Sequence, residues 1–137
     1  MAFVLDASVA LPWCFSDETT PFTEALLVRA TGGEELFVPA HWPTEVLSAL
    51  LQGKRRNRIS DPEIDRFLRD LASFRVVIEE SHSSARMQEL RTLAEKHNLT
   101  AYDAAYLDLA KRYSLAMATF DQRLLQACSA ESIIILS

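Results

Sequence analysis

The chain has 137 residues, with 14 Lys and Arg against 19 Asp and Glu for a formal net charge of -5, and 49% of it is hydrophobic. Such a length and balance suit one domain over residues 1–137 with a sizeable core. They exclude disorder and sit awkwardly with any role that depends on wholesale attraction to polyanions. No apolar run reaches the length of a bilayer span and the first residues lack a signal peptide's basic segment, so no membrane association and a cytoplasmic location are expected.

Phe3-Val4-Leu5 is a short apolar run that ends abruptly in Asp6, Ala7 and Ser8. This reads as a buried strand with a carboxylate at its end, where open α/β sheets place their chemistry. Val9 to Phe15 suits a short helix, with Trp13 and Phe15 in the core. Phe22, Ala25, Leu26 and Ala30 recur at helical spacing, and Gly32-Gly33 stops that helix. Leu36-Phe37-Val38 is the second strand, and Pro43 opens a helix lined by Val46, Leu47, Leu50 and Leu51 and weakened near its end by Gly53. Ser60-Asp61-Pro62-Glu63 is a capping box for a helix carried by Ile64, Phe67, Leu68 and Leu71.

Val76-Val77-Ile78 is the third strand. Ser83 or Ser84 starts the next helix, and Asn98 closes it. Leu99 to Tyr113 is the most apolar helix, Leu115 to Thr119 the fourth strand, Gln122 to Cys128 a short helix and Ile133 to Leu136 a fifth strand. Strands separated by helices imply a mostly parallel sheet with helices on both faces. Cys14 and Cys128 form no CxxC and read as reduced core thiols, while His41, His82 and His97 lack zinc-site spacing.

Four acids fall where such a sheet places its carboxyl edge: Asp6 after the first strand, Glu45 and Asp103 in the first turns of two helices, and Asp121 after the fourth strand. Each has an ordinary structural alternative as a helix cap or as a charge suited to a helix start. Crowded together they need more. Two carboxylates about 4 Å apart repel by about 4 kcal/mol at an effective dielectric near 20, and a helix terminus returns only about 0.3–1 kcal/mol. A shared cation resolves the conflict, and oxygen-only donors select Mg²⁺ or Mn²⁺. Asp108, four residues before Arg112, reads instead as a solvated ion pair and is left out. Lys54-Arg55-Arg56-Asn57-Arg58 is the one dense basic cluster; it suits either RNA contact or a solvated helix end.

Val4-Leu5-Asp6-Ala7-Ser8, Pro43-Thr44-Glu45-Val46, Thr100-Ala101-Tyr102-Asp103-Ala104-Ala105-Tyr106 and Ala118-Thr119-Phe120-Asp121, in that order and spacing, resemble a PIN domain of the VapC toxin ribonuclease type. The resemblance runs along essentially the whole chain, and Tyr-Asp-Ala-Ala-Tyr is its most specific segment. It implies a three-layer α/β/α fold around a five-stranded, mostly parallel sheet, and Mg²⁺- or Mn²⁺-dependent cleavage of single-stranded RNA. Homodimerisation and inhibition by a cognate antitoxin are implied as well. By the family pattern Asp6, Glu45, Asp103 and Asp121 are the catalytic quartet, and Ser8 is a polar helper beside it. Asp6, Asp103 and Asp121 are expected to hold the metal directly or through water, with Glu45 ligating it or orienting water. Lys54, Arg55, Arg56, Arg58 and Arg123 are the candidate RNA contacts.

A haloacid-dehalogenase-like phosphatase would want a second aspartate where Ser8 stands. A receiver domain would want an aspartate after the third strand and a lysine near the last one. The stronger rival is a PIN scaffold without catalysis that binds RNA or protein while its acids serve only as caps.

Overall fold

The computed structural model describes residues 1–80 and 82–137. The elements are β1 (Ala2–Leu5), α1 (Ala7–Ala10), α2 (Pro21–Thr31), β2 (Glu35–Val38), α3 (Trp42–Arg55), α4 (Asp61–Ser73), β3 (Arg75–Ile78), α5 (Ser84–His97), α6 (Ala101–Tyr113), β4 (Ala116–Ala118) and α7 (Gln122–Ala130). Two 3₁₀ turns, Leu11–Trp13 and Ser16–Glu18, join α1 to α2. The expected short helix after β1 is therefore split, with Pro12 inside the first of these turns.

The sheet is parallel throughout, in the order β3-β2-β1-β4. Phe3, Val4 and Leu5 are all fully buried. Successive strand side chains point to opposite faces, so burial of all three means that both faces are covered, as three layers require. Leu36, Leu50, Leu107, Leu109, Met117 and Leu124 bring β2, α3, α6, β4 and α7 into the same core.

The chain leaves β1 toward β2 on one side and returns as β4 on the other. This is the reversal of strand order at which such sheets open a crevice. Phe3, Val4 and Leu5 stand opposite Ala116, Met117 and Ala118, so Asp6 and Thr119 emerge side by side from the carboxyl ends of β1 and β4.

The expected fifth strand does not form. Ile133 to Leu136 runs parallel to β4 but makes one bridge, Ile135 opposite Met117, through Met117 N–H to Ile134 O (2.8 Å) and Leu136 N–H to Met117 O (2.9 Å). β4 has only three residues, too few to extend a ladder on its outer edge.

The other ends follow local chemistry. Thr20 caps α2 reciprocally with Thr23, and Pro21 occupies its first turn. Glu63 accepts from the Ser60 N–H (3.2 Å) and hydroxyl (2.8 Å) at the start of α4. Asn98 ends α5 at φ 53, the left-handed conformation that asparagine tolerates. Glu131, just past α7, accepts from Lys96, His97 and Lys111, and these bonds, led by that of Lys111, hold its carboxyl down at about 2. Cys14 and Cys128 are free, and burial pushes both thiols up to about 11, as expected of inert core cysteines.

Gly53 does more than weaken the end of α3. A Cβ there would lie 2.7 Å from two ring carbons of Phe15, a buried ring covered on one face by the Arg58 guanidinium. Gly53→Ala is therefore expected to destabilise the fold by about 1–3 kcal/mol through overpacking, despite alanine's better helix propensity. Urea unfolding checks this, and a second change, Phe15→Leu, should recover most of the loss.

Candidate active site

Asp6 lies at the end of β1 with 8% of its surface exposed. Its Oδ2 accepts from the Ser8 hydroxyl (2.8 Å) and the Thr119 hydroxyl (2.5 Å). Ser8 also accepts from the Phe120 N–H (3.1 Å), and Thr119 from the Asp121 N–H (3.0 Å). The two hydroxyls thus join the ends of β1 and β4 and set Asp121 relative to Asp6. Ser8 lies inside α1 and caps nothing, so its polar work is spent on Asp6. Asp121 does cap α7, its Oδ1 accepting from the Leu124 N–H (2.8 Å).

Glu45 is held from the other side. The Tyr106 hydroxyl donates to Glu45 Oε1 (2.5 Å) and accepts from the Ala7 N–H (3.4 Å). Tyr106 is fully buried, and its phenol is pushed far above the usual tyrosine range by burial, with Asp6 and Glu45 adding to the shift. It is a donor at every pH the protein meets. One side chain from α6 therefore ties α3 to the start of α1 behind the acids.

The four acids share one electrostatic environment. Burial raises the Glu45 carboxyl, and the charges of Asp6 and Asp103 raise it further against the Tyr106 bond. Burial likewise raises Asp103, followed by the charges of Asp121 and Asp6, with the Thr100 hydroxyl and Arg123 opposing. Acids from the ends of β1 and β4 and the first turns of α3 and α6 thus meet at one edge of the sheet. None of them forms an ion pair among the described residues.

As placed, no three Asp, Glu, His or Cys side chains among the described residues close around a common point. The donor set is nonetheless what a hard cation requires, namely partly desolvated carboxylate oxygens that form no ion pair among the described residues. A cation that keeps several waters tolerates such spacing. His41, next to the site, is held below its usual range by burial and stays neutral at pH 7, so it supplies no positive charge.

Three residues of the site carried no signal of their own: Thr119, Tyr106 and His41. Thr119 stands two residues before Asp121, as Ser8 stands two after Asp6, and that symmetry was the available clue. Asp108 pairs with Arg112 (2.9 Å), as its spacing predicts, but the pair is not solvated. Asp108 is 3% exposed, has a second partner in Arg86, and is raised by burial. It braces α5 against α6 outside the quartet.

Of the basic candidates, Arg123 lies close enough to bear on Asp103. The Lys54–Arg58 cluster sits at the far end of α3, where Lys54 pairs with Asp61 and Arg58 with Asp17 and Glu18. A groove of about 430 Å³ runs along α3 from Glu45, lined by His41, Thr44, Ser48, Ala49, Gln52 and Tyr102.

A sequence profile of the PIN domain matches residues 3–129, and the chain belongs to that family. It is 31% identical over 129 residues to Ribonuclease VapC12 of Mycobacterium tuberculosis, covering 90% of each chain. To Ribonuclease VapC3 of Pyrobaculum aerophilum it is 27% identical over 124 residues, covering 90% of this chain and 92% of the relative. Two crystal structures share the fold. PAE2754 of Pyrobaculum aerophilum has a TM-score of 0.69 at 23% identity, over 93% of this chain and 79% of that one. FitAcB of Neisseria gonorrhoeae has a TM-score of 0.60 at 18% identity, over 100% of this chain and 97% of that one. No helix among the described residues is long and apolar enough to cross a membrane.

The raised carboxyls set a direction for stability. Where the folded pKa exceeds the unfolded one, the native state binds the extra proton. The strain is absent below the unfolded pKa and complete once pH has risen past the folded one. Metal-free Asp103→Asn is therefore expected to melt above wild type at pH 7, by roughly 4 °C for each kcal/mol of repulsion relieved. The difference should shrink toward pH 4. Thermal melts in EDTA across that range check it, and equal melting temperatures at pH 7 would count against shared charge at the site.

Proposed function

We propose that the protein is a divalent-metal-dependent endoribonuclease, cutting single-stranded RNA as the toxin of a toxin–antitoxin pair. The observation that carries this reading is that Asp6, Glu45, Asp103 and Asp121, from four separate elements, lie near enough for their charges to shift the Glu45 and Asp103 carboxyls, and none is in an ion pair among the described residues. The kinship with ribonucleases of the VapC name supports RNA as the substrate.

Asp6, Asp103 and Asp121 would hold the ion. Bound there, Mg²⁺ or Mn²⁺ supplies Lewis-acid polarisation of the scissile phosphate and a water acidic enough to attack at neutral pH. The chain's own contribution is positional and protonic. Ser8 and Thr119 fix one oxygen of Asp6 so that the carboxylate cannot turn away from its neighbours. Glu45, its carboxyl raised toward neutrality, can take a proton from an attacking water, and the Tyr106 hydroxyl keeps it aimed. Arg123, near enough to act on Asp103, would contact a substrate phosphate bound there. A cognate antitoxin and a second copy of the chain are the partners that belong with this reading, and the cytoplasm is its place.

The test is cleavage of a cellular RNA pool by the purified protein with and without EDTA, with the new ends mapped. Asp6→Asn should keep a cooperative melt and lose more than ~100-fold of metal-dependent cleavage, as loss of a site's anchoring carboxylate would. Mn²⁺ at about 100 times its dissociation constant should stabilise wild type by about 2.7 kcal/mol, by mass action on the folded state. No thermal shift and no EDTA-sensitive cleavage would instead favour a PIN scaffold that only binds.

A further inference from the structure

We propose that one face of α3, from Glu45 through Ser48 and Gln52 to Arg55 and Arg56, is the track on which the RNA strand lies, and that the slot between Tyr102 and Gln52 receives one unstacked base beside the cut. This rests on the nuclease reading and adds to it the path of the strand and the residues that select a base.

The spacing is the first observation. Residues 45, 48, 49, 52, 55 and 56 recur every three or four positions, so they form a single stripe along the helix. The groove that opens at Glu45 follows this stripe as far as Gln52. Ten residues separate Glu45 from Arg55, about 15 Å along the axis. A phosphate held at the arginines is therefore distinct from the one at the acids, and the groove lies between them.

The charge distribution is the second. Without a bound ion four acids repel a polyanion, so in that state attraction must come from elsewhere on the strand's path. Within the basic cluster the structure separates two kinds of residue. Lys54 and Arg58 are engaged, Lys54 by Asp61 and Arg58 by Asp17 and Glu18, and Arg58 also covers Phe15. Arg55 and Arg56 are exposed, form no ion pair among the described residues, and stand on the groove's side of the helix. Phosphates are the partners for such arginines.

The slot itself is the third. Tyr102, next to Asp103, is 65% exposed. Its orientation is propped: the His41 ring meets it edge-on at 5.1 Å between centroids, and His41 is packed in turn on buried Tyr106 at 5.4 Å. Exposed, oriented aromatics are the platforms on which single-stranded bases stack. Past Glu45 the lining carries no further charged carboxylate, lysine or arginine, and its surface is mostly apolar with a few hydrogen-bonding groups. Thr44 and Ser48 offer hydroxyls and Gln52 an amide that both donates and accepts. An apolar floor with a few such groups suits the face and edge of a base.

The test has two arms. In EDTA, anisotropy of fluorescein-labelled 12-nucleotide oligo-U, oligo-A and oligo-C reports binding without cleavage. Arg55→Ala/Arg56→Ala should weaken all three about tenfold and flatten the salt dependence, while Arg91→Ala, which removes an exposed arginine on α5, should change them less than twofold. In Mn²⁺, end mapping on a mixed-sequence RNA should show that Tyr102→Ala and Gln52→Leu redistribute the cut sites, whereas Tyr102→Phe keeps the wild-type pattern. Wild-type cut sites in folded Tyr102→Ala and Gln52→Leu, or wild-type binding by the arginine pair, would overturn the track and mark the groove as a surface for something other than RNA. Wild-type cleavage in the same experiment keeps that failure distinct from failure of the nuclease reading, which shows as no EDTA-sensitive cutting by wild type.

Discussion

Everything at the site depends on keeping like charges together. Carboxylates gathered in a half-buried crevice repel one another, and the chain counters this mainly with hydrogen bonds, with Arg123 acting on Asp103 but forming no ion pair with it. Ser8 and Thr119 both donate to the same oxygen of Asp6. A charge-assisted bond of this kind is worth about 1.5–3 kcal/mol, enough to oppose the repulsion of one neighbour at moderate dielectric. The balance leaves the acids gathered but not collapsed, with positive charge still wanting.

The same bonds belong to the fold. Thr119 ends β4, Asp6 ends β1, and the two strands are register-paired neighbours at the point where the order of the sheet reverses. Tyr106 extends the coupling inward, since the hydroxyl that aims Glu45 sits on a ring buried in the core and also meets the backbone of Ala7. Packing of α6 against β1 and β2 therefore positions two of the four acids at once, Asp103 by its helix and Glu45 through the phenol.

The net charge of -5 becomes intelligible from the distribution of ion pairs. Cations elsewhere are largely committed: Lys96, His97 and Lys111 to Glu131, Arg86 and Arg112 to Asp108, Arg29 to Glu34, and Lys54 and Arg58 to their acids. Arg55, Arg56 and Arg123, on elements that border the acidic crevice or its groove, stand outside the ion pairs found among the described residues, and so do Arg66 and Arg69 of α4 and Arg75 of β3. Affinity for a polyanion can thus be local on a chain that is acidic overall.

Local chemistry made much of this legible in the amino-acid order. Apolar runs of three or four residues marked β1 to β4, the capping box at Ser60 and the serines Ser83 and Ser84 marked two helix starts, and the four acids stood out because each follows or opens such an element. What that order leaves open is whatever depends on a partner distant in the chain. Ile133 to Leu136 has the composition of a strand, yet a three-residue neighbour gives it one bridge. Asp108 has the spacing of a surface pair, yet α5 closes over it and brings Arg86. Thr119, Tyr106 and His41 are ordinary core residues by periodicity and acquire their roles from contacts 61 to 113 residues away in the first two cases. Periodicity encodes which side of an element is buried; which atoms meet there is decided only when the layers pack.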